Sequence, residues 1–137
     1  MASGINFLDA LQTRMGWLSG RQKLVAENVA NASTPGYKPR DLAAQNFDTL
    51  MKGQAEGGGK LGMATTNAAH LQIEGFKPNS AREVTALDSE TTMDGNSVVL
   101  EEQMLKMAES RMQFDAAVGF YQKSLAMVRM AARPPGR

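Results

Sequence analysis

One histidine, His70, no cysteine and 14 acidic side chains are the whole stock from which this 137-residue chain could build an acid–base or metal centre. A general base needs a second group to orient it and a nucleophile or substrate site within reach. No Asp, Glu or Ser accompanies His70 at a recognised catalytic spacing, so it reads as a solvated or packing histidine. The run Gly57-Gly58-Gly59-Lys60 superficially resembles a phosphate loop. It lacks both the G-x-x-x-x-G-K-[ST] spacing and a preceding apolar strand, and reads as a flexible linker. Without cysteine there is no thiolate nucleophile, disulfide framework or zinc ribbon. The expectation is a protein that is not an enzyme and has no cofactor and no metal. What remains is recognition chemistry. Asn28 and Asn31 lie three apart, where their amides can satisfy carbonyls at a helix end or bond to a neighbouring chain. Pro35-Gly36 suits a type II turn with φ > 0 at the glycine, and Tyr37 follows with a ring to lay against whatever the turn meets.

These residues need elements to hold them, and composition bounds those elements. At this length the chain is at most one small domain. A net charge of +1, with 21% of residues charged, fits neither an acidic solvating tail nor a basic nucleic-acid binder. Charge is not evenly spread: residues 1–40 carry five basic and two acidic side chains, 41–96 four and eight, and 97–137 six and four. The two ends therefore resemble each other and differ from an acidic middle, into which Gly53, Gly57, Gly58, Gly59 and Gly62 are crowded. The longest apolar runs fall far short of the roughly 20 residues needed to cross a bilayer. The N-terminus MASGINFLDALQTRM has no basic stretch followed by an apolar one, so no cleaved signal peptide is expected.

Both ends read as helices. In the first, Leu8, Leu11, Met15, Leu18, Val25, Val29 and Ala32 recur in alternating steps of three and four, with Gln22 in the one polar slot. That is a heptad seam with period 3.5. Asn6 is its expected N-cap, and Thr34-Pro35-Gly36 stops it near Ser33. In the second, the series is Leu100, Met104, Met107, Arg111, Phe114, Val118, Tyr121, Leu125, Val128 and Ala132. Asp94-Gly95-Asn96-Ser97 supplies a turn and a cap, and Pro134-Pro135-Gly136 a stop. Arg111 within the seam is either a register-setting insertion or a side chain reaching for the rim. The fold class expected is mainly α. Residues 1–34 and 97–133 are two terminal helices pairing as an antiparallel coiled coil into one composite core, Leu11, Met15, Leu18 and Val25 facing Met107, Phe114, Val118 and Tyr121. Residues 35–96 form a glycine-rich, largely irregular middle with room for a short β-hairpin.

Apolar surface is left over. Leu105, Ala108, Met112 and Ala116 make a second stripe beside the later seam, and Phe7, Trp17 and Leu24 lie off the earlier one. One partner helix cannot cover both stripes, so contiguous apolar surface must meet something else. Five of the ten methionines, at 104, 107, 112, 127 and 130, fall in the second helix, where an unbranched, adaptable side chain suits non-identical neighbours. Folding coupled to packing against other chains is the expected behaviour, with partial disorder in the free monomer. A structural subunit leads. A soluble helical binding module such as a secretion chaperone is the alternative, a membrane-surface helix follows, and an enzyme comes last.

The stretch Asn28-Val29-Ala30-Asn31-Ala32-Ser33-Thr34-Pro35-Gly36-Tyr37, continuing through Arg40-Asp41-Leu42, resembles the N-terminal signature of the bacterial flagellar rod and hook axial family. There a long helix ends in N-[LIV]-A-N and runs into a T-P-G-Y turn. Gly95-Asn96-Ser97-Val98-Val99-Leu100-Glu101, leading into a heptad helix, resembles the family's C-terminal half, and Thr65–Leu71 its short segment ending in His-Leu. Ser33 and the tail Arg133–Arg137 depart from the family's pattern. The resemblance implies a self-assembling structural subunit of the bacterial flagellum basal body. It would form the proximal rod, transmit torque from the membrane ring to the distal rod and hook, and enclose the export channel. Implied partners are other rod subunits, the adapter FliE and the MS ring or export gate. The implied location is the periplasmic rod, reached by flagellar type III secretion without cleavage.

Overall fold

The computed structural model describes residues 2–46 and 81–133, with side chains from residue 7 onward. His70, the Gly57–Lys60 run, the Thr65–Leu71 stretch and the prolines of the tail lie outside the described residues. Helix α1 (Ala2–Ala30), strand β1 (Arg40–Leu42), strand β2 (Glu83–Thr85) and helix α2 (Leu100–Ala131) follow in that order. The chain is mainly helical, with one small antiparallel sheet pairing Arg40 with Thr85, Asp41 with Val84 and Leu42 with Glu83. Two further bonds extend the ladder beyond the strands, Ala43 N–H to Arg82 O and Ala86 N–H to Pro39 O.

Helix α1 starts at Ala2, so Asn6 lies inside it and is not its cap. Continuing a helix gains one bond per residue, and an interior asparagine costs at most about 0.7 kcal/mol against alanine, too little to force a start. At the other end the helix stops at Ala30, and the chain tightens through Ala32 N–H to Val29 O and Thr34 N–H to Asn31 O. The start of α2 also differs from expectation. Its N-cap is Val99, whose side chain cannot cap, rather than a residue of 94–97. The polar acceptor comes from farther back: the Asp88 carboxylate accepts the Val99 N–H at 2.9 Å, and Asn96 Oδ1 accepts that of Val98 at 2.8 Å. A negative charge at the positive end of a 32-residue helix is well placed.

The two helices run antiparallel. Gln12 Nε2 donates to Tyr121 Oη, Arg14 Nη2 to Gln113 Oε1 and Asn28 Nδ2 to Gln103 Oε1, so positions rising along α1 meet positions falling along α2. On α1 the heptad seam faces inward: Leu11, Leu18 and Val25 are buried, and Met15 and Val29 half-buried. Trp17 and Leu24, which lie off the seam and need a further cover, are buried. The sheet covers them. Trp17, Leu18, Leu24 and Leu42 form one cluster, with Phe114 and Ala81 packed against it. Trp17 Nε1–H donates to Ala43 O at 3.1 Å, which ties the end of β1 to the helix and leaves the indole no unpaired polar atom.

On α2 the inward face is rotated from the expected one. Gln103, Ser110 and Ala117 are its buried residues, one heptad apart, while Met107, Phe114 and Tyr121 are half-buried. The other expected column stands further out: Val118 and Leu125 are half-buried, Met104 and Arg111 exposed, and Leu100 and Val128 are exposed as well. Arg111 therefore sets no register between these helices. Two causes combine. Serine and alanine are small enough for the large side chains of α1 to close on them, and Gln103 has a hydrogen-bonding partner on α1 that methionine at 104 would lack. The large apolar side chains of α2 are correspondingly turned outward.

Candidate functional site

The motif residues assemble into a polar clamp at one end of the helix pair. Asn28, buried at 1% exposure, uses its whole hydrogen-bonding capacity. Its Nδ2 donates to Arg40 O at 2.8 Å and to Gln103 Oε1 at 3.0 Å. Its Oδ1 accepts from Arg40 N–H at 3.0 Å and from Tyr37 Oη at 3.1 Å. One side chain thereby joins α1, the turn, β1 and α2. Gln103 passes the chain of bonds on, its Nε2 donating to Asp88 Oδ2 at 2.7 Å, and Lys106 Nζ closes it on Asp88 Oδ1 at 2.8 Å. Burial works against the charge on Asp88, but the hydrogen bonds from Lys106, Gln103 and the Val99 N–H outweigh it and hold the carboxyl below its ordinary pKa.

The turn is locked from the opposite side. Gly36 has φ 71°, and Tyr37 N–H donates to Thr34 O at 3.2 Å, the geometry Pro-Gly favours in a type II turn. Asn31 holds the helix end, its Nδ2 donating to Glu27 O at 2.8 Å and its Oδ1 accepting from Thr34 Oγ1. Asn96, also buried, donates from Nδ2 to Asn31 O and Thr34 O at 3.0 and 2.7 Å. Gly36 N–H donates to Asp94 O and Ser97 N–H to Tyr37 O. Gly95, at φ 83°, approaches so closely that a Cβ there would lie 3.4 Å from the Gly36 Cα. The amide of Asn28 is therefore spent within the chain, and that of Asn31 makes two bonds within its own helix end.

The basic residues of α1 brace the sheet. Arg21 makes a bidentate pair with Asp41 at 2.9 and 3.0 Å, and Arg14 and Arg21 stand 4.6 and 5.7 Å from the Trp17 ring centroid. Burial, and then the positive charge of Arg21, lower the pKa of Arg14, which stays a cation at any physiological pH. Arg40 pairs with Glu27 and Glu83 across the exposed edge of the sheet. These contacts, together with Asp88 and Gln103, were not singled out by spacing. Apart from Trp17, three and four positions from Arg14 and Arg21, their partners lie 11 to 75 positions away in sequence, and no local pattern marks such pairs.

What the chain does not cover is the outer face of α2. Met104, Leu105, Met112 and Phe120 are 62, 70, 68 and 60% exposed, and Met127 and Met130 continue the face towards the helix end. Beside it, an apolar cleft of about 460 Å³ opens between the helices, lined by Phe7, Leu11, Arg14, Gln113, Ala116, Ala117 and Phe120. Among the described residues no group of three or more acidic or histidine side chains is placed to hold a metal ion, and no helix is long and apolar enough to cross a membrane. The arrangement is a surface: a rigid, polar-locked helix pair presenting an adaptable apolar stripe.

Known proteins share this layout in sequence. The family model described as flagella basal body rod protein matches residues 8–38, the seam of α1 together with the turn. The flagellar basal body rod protein FlgB of Agrobacterium fabrum is 32% identical over 94% of this chain and 94% of its own length. FlgB of Proteus mirabilis is 31% identical over 73% of this chain and 74% of its own length, and FlgB of Escherichia coli 25% identical over 72% of each. At 32% identity over 94% of both chains, with the family model on the seam of α1 and the turn, the chain belongs to the FlgB family of flagellar basal body rod proteins.

Proposed function

We propose that this chain is a structural subunit of the proximal flagellar rod, one of the parts that transmit torque from the membrane ring to the distal rod and hook and enclose the export channel. Membership of the FlgB family over nearly the whole chain carries the reading. The exposed apolar face of α2 supports it, because surface of that extent calls for a neighbour. Residues 1–34 and 97–133 form the composite core that packs against those neighbours, and 35–96 links its halves and supplies the turn and sheet. The neighbours are other rod subunits, the adapter FliE, and the MS ring or export gate. Because the outer face of α2 is satisfied only in the assembly, ordering is completed there.

The working site is the periplasmic part of the basal body, reached through the flagellar type III apparatus with the N-terminus uncleaved. Purified basal bodies from cells carrying this chain test the proposal by mass spectrometry. Recovery of the chain in the rod fraction with its first residues intact is the expected result. A chain confined to the cytosol and bound there to a client would overturn the rod reading in favour of a secretion chaperone.

A further inference from the structure

With ten methionines and no cysteine, the chain has the thioether as its only sulfur group. The positions of these thioethers separate interior from surface. Among the described residues, Met15 and Met107 are half-buried on the inward faces of the helices. Met104, Met112, Met127 and Met130 are each more than half exposed, and all lie on the outer face of α2. Met112 and Met130, about five turns apart, share one line along it. Met93, fully exposed, stands away from that face on the Thr92–Gly95 turn, which is closed by Gly95 N–H to Thr92 O. Trp17, the chain's one indole, is buried with its N–H bonded. An oxidant arriving from solvent therefore reaches the sulfur of the outer face before any group on which the helix pair depends.

We propose that Met104, Met112, Met127 and Met130 form a reversible oxidation site, at which conversion to sulfoxide closes the outer face of α2 to assembly and leaves the helix pair intact. The reaction is an oxygen transfer from hydrogen peroxide. The thioether sulfur attacks one peroxide oxygen, the S–O bond forms as the O–O bond breaks, and the second oxygen leaves as water with the proton of the first. Sulfur is oxidised by two electrons and the peroxide is reduced. The return step consumes two thiols, which become a disulfide while the sulfoxide oxygen leaves as water, with one reductase for each sulfoxide epimer. A sulfoxide puts a strong hydrogen-bond acceptor where an adaptable apolar group stood. In the free chain water satisfies that acceptor, so the fold tolerates it. Against an apolar neighbour the oxygen is left unpaired and opposes the contact. The clamp of Asn28, Gln103 and Asp88 contains no sulfur and is spared. This inference rests on the rod-subunit reading, in which neighbours cover the outer face after the chain has entered an oxidising compartment.

Purified chain treated with hydrogen peroxide and followed by peptide mass spectrometry is expected to form sulfoxide at the four outer-face methionines at least threefold faster than at Met15 and Met107, with helix content by circular dichroism unchanged. Equal rates, or loss of helix, overturn the proposal. The second arm uses cells lacking the sulfoxide reductases, in which chain made just before a quenched pulse of peroxide carries an isotope label. Relative to the soluble pool, labelled chain that later enters basal bodies should be depleted at least tenfold in sulfoxide at the four positions and undepleted at Met93. No depletion, or equal depletion at Met93, overturns the proposal. Glutamine imitates the sulfoxide without an oxidant: M112Q/M130Q should lower incorporation at least tenfold, and M93Q should not lower it. A double variant incorporated as well as the unaltered chain, or an M93Q loss of equal size, also overturns the proposal. Normal incorporation of the oxidised chain removes the oxidation site and leaves the rod-subunit reading standing; labelled chain absent from basal bodies without any peroxide removes both.

Discussion

Replacing Asn28 with alanine should cost far more than its position near a helix end suggests. Four hydrogen bonds disappear, to Arg40 O, Arg40 N–H, Tyr37 Oη and Gln103 Oε1. The bond to Gln103 lies in the fully buried part of the clamp, where an acceptor left unpaired costs about 1–3 kcal/mol. The other three are part-buried, each worth about 0.5–1.5 kcal/mol net, and water admitted to the gap recovers some of that. Allowing for non-additivity within one network, N28A should lose about 3–5 kcal/mol, a large share of the stability of a small domain. Asn31→Ala is the matched control. Its side chain makes two local bonds at an exposed helix end, and its loss should cost about 1 kcal/mol. Urea unfolding followed by circular dichroism reads the difference. With a slope of about 1.5 kcal/mol per molar, N28A should move the midpoint down by about 2 M or more and N31A by well under 1 M. An N28A cost below about 1 kcal/mol, or equal to that of N31A, would refute the view that one amide joins four elements.

The Asp88 carboxyl is held below its ordinary pKa of 3.8, so the folded state binds its proton less readily than the unfolded chain does. Its contribution is complete above about pH 4 and is lost as pH falls through the depressed value; D88N should therefore flatten the acid limb of a stability–pH profile, and an unchanged limb would contradict the assignment. Asp94, held down by the Thr92 hydroxyl and then the Asn96 N–H, leaves a shallower decline in that variant. Ser110 Oγ is buried at the helix crossing with no hydrogen-bond partner, so S110A should raise stability by about 1 kcal/mol, and a loss of that size would show that the hydroxyl is satisfied. Gly95→Ala should lose about 1–2 kcal/mol, because φ 83° penalises any Cβ and the Gly36 Cα stands in close contact; an unchanged urea midpoint would mean that the turn relaxes freely.

Legibility followed the range of the interactions. The Thr34–Tyr37 turn, the end of α1 and the seam of Leu11, Leu18 and Val25 rest on local rules, which a single stretch of sequence displays. The face of α2 does not. Gln103, Ser110 and Ala117 lie one residue ahead of a column that is mostly more apolar, so periodicity alone favours the wrong rotation. What selects the observed face is a bond between Asn28 and Gln103, 75 positions apart. The start of α2 escaped for the same reason, its anchoring carboxylate lying 11 positions back at Asp88. The covering of Trp17 and Leu24 escaped because three-residue strands are too short to show an alternation.

That division of side chains bears on how such a subunit works. A buried polar network is satisfied in only one arrangement, since each donor must meet its acceptor within a few tenths of an ångström, and a slip of one heptad would break the buried Asn28–Gln103 bond that joins the two helices. The inside of the helix pair is therefore specific at some cost in apolar burial. The outside has the opposite character. Met104, Met112, Met127 and Met130 can repack against surfaces of different shape without leaving a donor unpaired. A part that must keep its own shape while assembling with other components of the basal body needs this distribution. Exchanging the two would give a chain with a loose interior and an interface that tolerates a single partner.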